Sequence, residues 1–337
     1  MRKSNYHWSR MLPGFLITLL SLGIIIYLVN PQQFIEALKL ADYRIVALVF
    51  MTSLLWIFVR SLVWRTLLKE QASFSQVFLT INEGYLLNNI LPFRLGEVGR
   101  AFLLGKKANL PFFNVFSTII IERALDIAFA AGLLLSSLSF VVGASWAREA
   151  ALSAGMLVLF GLMALYIMAR YKEWITQQIN RLNGHWSMLD KIIAGFIPSF
   201  LSGLGILTDG RRFFKAVSLM ILNWFIASLQ FYLILAAFFP NVKYIWGIFA
   251  LSVSSLGIAA PSSPGAVGVF ELSMVTALAL FGLDTSISLA AAITAHLSNY
   301  IITGIIGVFA LFRDGLSLTG VYQEVRELSQ RRENDHH

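Results

Sequence analysis

Residues 88–100 read Asn-Asn-Ile-Leu-Pro-Phe-Arg-Leu-Gly-Glu-Val-Gly-Arg, a polar stretch broken by proline and glycine in an otherwise apolar chain. The 337 residues are 57% hydrophobic and 13% charged, whereas soluble proteins average about 45–50% apolar and about 25% charged residues. At membrane depth, helix breakers and charges are tolerated only where the backbone is buried in protein or lines a wet cavity. The stretch therefore predicts a broken membrane helix and a candidate site in one place.

Six segments hold most of the hydrophobic residues, and each approaches or exceeds the roughly 20 apolar residues that cross a bilayer. They cover residues 11–29, 44–64, 112–142, 151–169, 216–239 and 286–312. The first is longer than the roughly 7–15 apolar residues of a signal peptide and lacks a cleavage site of small residues, so we expect it to stay as a helix. The sequence predicts an all-α, multi-pass membrane protein with a single transmembrane domain.

The basic residues indicate an orientation. If the N-terminus lies in the cytoplasm, most of the 26 Lys and Arg residues fall on the cytoplasmic side, as the positive-inside rule requires. We therefore expect both termini in the cytoplasm. Residues 170–215 predict an amphipathic connector on the cytoplasmic membrane surface. Residues 314–337 predict a charged cytoplasmic tail, whose His336 and His337 are given no metal role.

Two segments are expected to enter and leave the membrane on one side. Basic residues flank residues 74–91 at both ends, so this segment and the break that follows it predict a re-entrant hairpin; a surface amphipathic helix is the alternative. A second hairpin is expected over residues 244–281, broken at residues 261–268, between a span running outward and a span running inward. The two hairpins then enter from opposite sides.

The two breaks share a pattern, Gly-x-Val-Gly, at Gly96 and at Gly265. Trp56 precedes Gly96 by 40 residues, and Trp224 precedes Gly265 by 41. Motif, spacing and topology together predict an inverted repeat with copies at about 44–142 and about 216–313. Inverted repeats with broken helices recur in transporters, whose substrate sites lie near the midplane where the half-helices meet.

The first break carries charge. Arg94 and Arg100 are candidates to bind a phosphate, helped by glycine backbone and a helix N-terminus. The alternative is that both are ordinary cytoplasmic anchors paired with Glu97. Lys106 and Lys107 are interpreted as plain anchors. Arg60 lies about one turn from the end of its span, close enough to snorkel to the interface, and is left out of the candidate site.

The third span carries Glu122, Arg123 and Asp126 among aliphatic residues. Glu122 and Asp126 share a helix face, and Arg123 pairs with Asp126 at the i,i+3 spacing. One interpretation is a self-neutralising pair that makes insertion tolerable. The other is a cation for an anionic group, beside acids that take up protons.

The last span places four polar residues on one stripe, at spacings of three, four and seven: His296, Asn299, Tyr300 and Thr303. A histidine here is either a hydrogen-bonded packing residue or a proton relay. In the second hairpin, Pro264, Gly265 and Gly268 are expected to shape and gate a path, and Glu271 is its acid.

The sequence lacks the signatures of several function classes. The chain has no cysteine, which excludes thiol nucleophiles and cysteine metal sites. It also has no His-Glu-x-x-His, Walker loop or Gly-x-Ser-x-Gly motif, the marks of common metalloenzymes, ATPases and hydrolases. We expect no catalytic residues, no metal, no cofactor, no nucleic-acid partner and no ATP-driven pumping by this chain alone.

Three motifs together resemble a known family: Asn89-x-x-Pro92-x-Arg94-x-Gly96-Glu97-x-x-Arg100, Glu122-Arg123-x-x-Asp126 and Pro264-Gly265-x-x-Gly268-x-x-Glu271. In order and spacing, over about residues 40–313, they are similar to the lysylphosphatidylglycerol synthase transmembrane-region family, also called flippase-like domain proteins. The resemblance implies an integral protein of a prokaryotic cytoplasmic (inner) membrane, with lipid translocation as its activity. The sequence lacks the aminoacyltransferase domain of bifunctional members, so synthesis of the lysyl lipid is not expected.

The hypothesis from the sequence is a flippase that moves an anionic phospholipid, or a lipid-linked head group of the polyprenyl-phosphate type, across the membrane. The expected substrate-binding residues are Asn89, Arg94, Glu97, Arg100 and Arg123. The expected coupling or gating residues are Glu122, Asp126, Pro264, Gly265, Gly268, Glu271, His296, Asn299 and Tyr300. The alternatives are a membrane-embedded lipid-modifying transferase and a non-catalytic partner of an envelope glycosyltransferase. The expected partners are membrane lipids and envelope-biogenesis enzymes.

Overall fold

The computed structural model describes residues 8–91, 95–141, 145–182, 197–259 and 264–315, and helices are the regular elements throughout these ranges. The helices are α1 (Trp8–Leu28), α2 (Pro31–Leu40), α3 (Tyr43–Leu67), α4 (Phe74–Ile90), α5 (Leu95–Ala108), α6 (Phe112–Ser137), α7 (Ser145–Arg170), α8 (Lys172–Leu182), α9 (Ile197–Ile206), α10 (Gly210–Phe238), α11 (Tyr244–Gly257), α12 (Val269–Ala279) and α13 (Thr285–Arg313). Short 3₁₀ turns follow α6, close α9 and precede α12. The predicted all-α membrane class is confirmed.

Three helices in the described ranges, α3, α10 and α13, are long and apolar enough to cross a bilayer, with 25, 29 and 29 residues. Two bent pairs, α1 with α2 and α7 with α8, raise the number to five if each pair is one span, and they bend by 85° and 74°. The first bend lies at Asn30, whose side chain caps α2, and at the proline that follows it. The remaining predicted span is α6, a 26-residue helix that carries three charges in its middle.

The first break joins α4 and α5 into an antiparallel hairpin. Gln76 Nε2, near the start of α4, donates to the carbonyl of Lys107 at the end of α5 over 2.8 Å. Nearer the break, a Cβ added to Gly96 would lie 2.1 Å from the carbonyl oxygen of Gly84, so glycine is required for the helices to approach this closely. Pro92 and Arg94 fall outside the described residues.

The second break forms a different turn between α11 and α12. Gly265 and Gly268 have φ angles of 67° and 84°, a region that side chains with a Cβ rarely adopt. The backbone N–H of Gly268 donates to Glu271 Oε2 over 2.7 Å and so caps α12. The shared Gly-x-Val-Gly pattern therefore allows close helix packing in the first hairpin and left-handed backbone in the second.

The packing of the helices is symmetric in the way that an inverted repeat requires. α3 and α10 run antiparallel: the Asp42 N–H donates to the carbonyl of Ala237, and Asn223 Nδ2 donates to the carbonyl of Trp56. Each hairpin packs on the long helix of the other half, α4 on α13 and α11 on α6. Each half also keeps its own contacts, α5 with α6 and α12 with α13. The repeat boundaries and the membrane orientation stay predictions.

The predicted surface connector differs from the structure in its second half. Residues 183–196 fall outside the described residues, but α9 is buried: Leu201, Leu204 and Ile206 are at most 1% exposed. They belong to the core cluster that includes residues of α3, α6 and α10. The apolar residues of this segment thus cover protein, not lipid. In the predicted tail, residues 316–337 also fall outside the described residues.

Candidate functional site

A cavity of about 420 Å³ lies between the two hairpins, and α3, α4, α6, α10, α11 and α13 contribute to its walls. The second break contacts α4 directly, and Leu91 and Glu97, which flank the first break, line the same cavity as Gly265. Eight of the predicted site residues line the cavity: Asn89, Glu97, Arg123, Asp126, Gly265, His296, Asn299 and Tyr300. Five others surround it without lining it: Arg100, Glu122, Pro264, Gly268 and Glu271. Arg94 lies outside the described residues.

Glu122 is the centre of a charged cluster at one end of the cavity. Its carboxylate is 0% exposed and accepts from three guanidinium groups, at 2.6 Å from Arg60, 2.7 Å from Arg100 and 2.8 Å from Arg123. A buried carboxylate is costly unless it is paired and hydrogen-bonded. Three arginines on three different helices therefore hold this acid, and the acid fixes the helices relative to one another.

Arg60 is the residue that the sequence interpretation missed. It is buried, and its two terminal nitrogens also reach the carboxylate of Asp126, at 2.7 Å and 2.5 Å. Arg60 does not snorkel to the interface, and its omission from the candidate site is wrong, because its charge is satisfied inside the protein by two acids of α6. Trp224 Nε1 donates to Asp126 Oδ1, the oxygen that also accepts from Arg60 Nη1, over 3.3 Å.

The structure does not bring Arg100 to the cavity. Its guanidinium is buried, bonded to Glu122, and lies 4.1 Å from the centre of the Trp64 ring. The face of α5 that carries Arg100 also carries Gly96, which packs directly on α4. Arg100 is therefore placed as an internal counter-ion and does not face a substrate in this arrangement.

Arg123 is the accessible cation of the cluster. Its side chain is 29% exposed, against 3% for Arg60 and Arg100. It lies 3.3 Å from Asp126, as predicted from the i,i+3 spacing, and only a long 3.6 Å contact joins its Nε to Glu97. Among the described side chains the cluster holds three arginines and three carboxylates, so it is electroneutral when all are ionised.

The other end of the cavity ties the second break to α13. Tyr300 donates its hydroxyl to the carbonyl of Gly265 over 2.5 Å. His296 Nδ1 lies 2.5 Å from Glu271, whose other oxygen caps α12. These contacts link the gating candidates of the second hairpin to the polar stripe of α13. Asn89, on α4, completes the link by donating to Thr303 over 3.4 Å.

The first hairpin has a second ionic contact, away from the cavity. Lys107 Nζ lies 2.6 Å from the buried carboxylate of Glu83 and also contacts Asp314. It therefore joins α4, α5 and the end of α13, and its interpretation as a plain anchor is wrong. In the described parts of the chain, no three His, Asp or Glu side chains gather in a way that suits a metal ion.

Comparisons with known proteins agree with this architecture. The sequence profile described as "Lysylphosphatidylglycerol synthase TM region" matches residues 12–307. The chain is 25% identical to Glycosyltransferase AglD of Haloferax volcanii over 94% of its own length, and it spans 56% of that protein. It is 27% identical to UPF0104 membrane protein MJ1078 of Methanocaldococcus jannaschii, over 64% of this chain and 88% of the relative.

A third relative, UPF0104 membrane protein MJ1595 of Methanocaldococcus jannaschii, is 22% identical over 88% of this chain and 92% of its own length. No solved structure matches the chain. The profile covers most of the sequence, including both hairpins, the charged helix α6 and most of α13. The chain therefore belongs to the lysylphosphatidylglycerol synthase transmembrane-region family.

Proposed function

We propose that the protein binds the phosphate of a membrane lipid head group in the cavity between the hairpins and moves that head group between the leaflets. The observation that supports the proposal most directly is the position of Arg123, an accessible cation on the wall of the cavity, where Glu97, Asp126 and Asn89 also contribute polar side chains. A lipid head group needs a polar path through the bilayer while its acyl chains stay in the hydrocarbon. Membership of a lipid-related membrane family supports this reading.

The geometry of the cluster suits a guest phosphate. A guanidinium binds phosphate through charge-assisted hydrogen bonds, and the Nε of Arg123 is held only by the long contact to Glu97. A phosphate that replaces Glu97 would exchange a weak contact for a strong one. Arg60 and Arg100 remain committed to Glu122, so the buried part of the cluster keeps its structure while Arg123 takes the ligand.

Electroneutrality adds a coupling requirement to the proposal. An incoming phosphate brings a negative charge to a cluster that is already balanced, and uncompensated charge in a low-dielectric site is costly. Uptake of a proton or another cation at Glu97 or Asp126, both on the cavity wall, restores the balance. His296 and Glu271 at the opposite end are placed to respond to the same movement, because they hold the second break to α13.

The test is leaflet exchange of a fluorescent phospholipid, or of a polyprenyl-phosphate lipid, in vesicles that contain the purified protein. Wild type is expected to accelerate exchange. Arg123→Gln is expected to lose about 10- to 100-fold, because a hydrogen bond to a charged group contributes about 1.5–3 kcal/mol. Arg212→Gln, which removes a surface charge with a 45% exposed side chain, is the matched control. Failure of wild type to accelerate exchange of either lipid class would overturn the proposal.

The similarity to AglD favours a second candidate function, in which the chain modifies a membrane lipid or accompanies an envelope glycosyltransferase. A transferase would use the same acids at the cavity. Turnover of a lipid by the purified protein, lost in Glu97→Gln, would support a transferase. Stable co-purification with a glycosyltransferase, together with unchanged function in Arg123→Gln, would support an accessory subunit.

A further inference from the structure

We infer that the cavity has a second subsite, beside Arg123, for a hydroxyl-rich part of the head group such as a glycerol or a sugar. This inference rests on the proposed function, which accounts for the phosphate alone. The evidence for the subsite comes from two residues, Asn223 on α10 and Ser254 on α11. Both line the cavity and are only 1% exposed, and each has a polar oxygen without a hydrogen-bond partner among the described residues.

The unpartnered oxygens require an explanation, because a buried polar atom without a partner costs about 1–3 kcal/mol. Asn223 Oδ1 and Ser254 Oγ are two such atoms, and both lie at the wall of a cavity that is large enough for a ligand. A ligand that forms hydrogen bonds to both atoms removes the energetic cost of leaving them without partners. These two positions on neighbouring helices are therefore suited to ligand recognition.

The subsite lies next to the charged cluster. Asn223 Nδ2 donates to the carbonyl of Trp56 over 2.9 Å, and the guanidinium carbon of Arg60 is 5.9 Å from the centre of the Trp56 ring. The neighbouring residue, Trp224, donates to Asp126. Asn223 therefore lies beside the charged cluster, on the wall of the same cavity that Arg123 lines.

The chemistry of the free atoms indicates a ligand that donates hydrogen bonds. The amide nitrogen of Asn223 donates to the carbonyl of Trp56, so the atom left without a partner is the amide oxygen, which accepts hydrogen bonds. The carboxylates of Glu97 and Asp126 on the same cavity are acceptors as well. An ammonium group also donates, but the two free atoms, Asn223 Oδ1 and Ser254 Oγ, are neutral, and the two carboxylates are already paired with Arg60 and Arg123. A buried ammonium requires a counter-ion of its own, whereas neutral hydroxyl groups satisfy neutral acceptors without one.

The experiment compares pairs of lipids that carry the same charge and differ in hydroxyl groups, and it adds phosphatidylethanolamine, whose head group carries an ammonium instead. Binding to the purified protein in mixed micelles is measured by native mass spectrometry for phosphatidylglycerol, phosphatidylethanol and phosphatidylethanolamine with identical acyl chains. A glucosyl phosphoprenol and the methyl diester of the same phosphoprenol form the second pair, which separates a sugar from a glycerol as the source of the hydroxyls. In at least one pair, the hydroxyl-bearing lipid is expected to bind about three- to tenfold more tightly, the worth of one or two neutral hydrogen bonds.

Ser254→Ala and Asn223→Ala are expected to bring that ratio close to one without abolishing binding. The matched controls are Ser288→Ala and Asn82→Ala, because Ser288 and Asn82 are equally buried, also have an oxygen without a partner, and do not line the cavity. They are expected to leave the ratio unchanged. Ser254→Ala removes a single oxygen atom, so it keeps the test decisive even if Asn223→Ala fails to fold.

Each outcome decides the inference. Equal binding within both lipid pairs by wild type overturns the subsite and leaves the proposed phosphate site intact. Preference for phosphatidylethanolamine over phosphatidylglycerol also overturns it and indicates an ammonium ligand. Loss of the ratio in Ser288→Ala and Asn82→Ala as well would show a general packing effect and would overturn the subsite. Binding of none of the lipids would count against the proposed function itself.

Discussion

Replacing Glu122 by Gln removes one negative charge from the centre of the cluster while keeping the size and shape of the side chain. Glu122 is 0% exposed and accepts from Arg60, Arg100 and Arg123 at 2.6–2.8 Å. After the change, three arginines face two carboxylates, and the amide group donates where two guanidinium groups also donate. Removing one partner of a buried ion pair costs about 3–5 kcal/mol. We expect a loss of unfolding free energy in that range.

The assay is unfolding of the purified protein in mixed micelles as the fraction of SDS is raised, followed by tryptophan fluorescence. The matched control is Glu97→Gln, which makes the same chemical change at a 20% exposed side chain, whose ionic contact among the described residues is the 3.6 Å one to Arg123. Partly exposed ion pairs contribute about 0–1 kcal/mol, so the control is expected to lose less than about 1 kcal/mol. The difference between the two variants isolates the contribution of the buried cluster.

The reasoning is refuted if Glu122→Gln and Glu97→Gln lose the same small amount of unfolding free energy. Such a result would mean that the arginines find other partners, or that the buried carboxylate carries a proton in the native protein. A loss of about 3 kcal/mol or more, found for Glu122→Gln alone, supports the view that this acid organises α3, α5 and α6.

Three further changes test the hairpins. Gly96→Ala places a Cβ 2.1 Å from a carbonyl oxygen of α4 and is expected to destabilise the folded protein by about 1–3 kcal/mol. In the control, Gly132→Ala, the added Cβ meets nothing within 4 Å and is expected to be tolerated. An equal loss of unfolding free energy in both variants would contradict the close packing. Gly265→Ala forces a residue with a Cβ into a φ of 67° and places that Cβ 1.7 Å from the Tyr300 hydroxyl. Leaflet exchange is expected to fall more in this variant than in Tyr300→Phe, which loses a single hydrogen bond. A larger fall in Tyr300→Phe would contradict the gating role of Gly265. Lys107→Met removes the cation that pairs with the buried carboxylate of Glu83 on α4 and is expected to lower the unfolding free energy by about 3 kcal/mol. An unchanged unfolding free energy would mean that Lys107 is a plain anchor after all.

The breaks and most spans were predictable because they depend on local features. The length of an apolar run decides whether a helix crosses the membrane, and proline or glycine decides where it stops. The pairing of Arg123 with Asp126 was also visible, since residues three apart share a helix face. The cavity residues of α13 followed from the same periodicity, as His296, Asn299, Tyr300 and Thr303 all line the cavity.

The partners of the cluster were not predictable from local pattern. Arg60 and Asp126 are 66 residues apart, and nothing in either segment alone indicates the contact. One signal was available, because α6 carries two acids and a single arginine, so a second cation at the same depth was required. Arg60 is a charge in a neighbouring span and meets that requirement.

The burial of Arg100 follows from the helix face on which it lies. Gly96, Gly99 and Arg100 fall on one stripe of α5, at spacings of three and four. A stripe that contains two glycines is a stripe on which another helix packs closely, and a side chain on it is buried. Arg100 accordingly lies against Trp64 and Glu122, whereas Glu97 and Arg123 reach the cavity.

The central claim is that Arg123 holds the phosphate of a lipid in the cavity. Native mass spectrometry of the protein purified from the membrane, which counts the phospholipid retained per chain, tests it most directly. The account predicts that Arg123→Gln retains at least about tenfold less phospholipid than wild type, and that Arg212→Gln, a surface change, retains as much as wild type. Equal retention by wild type and Arg123→Gln would contradict it.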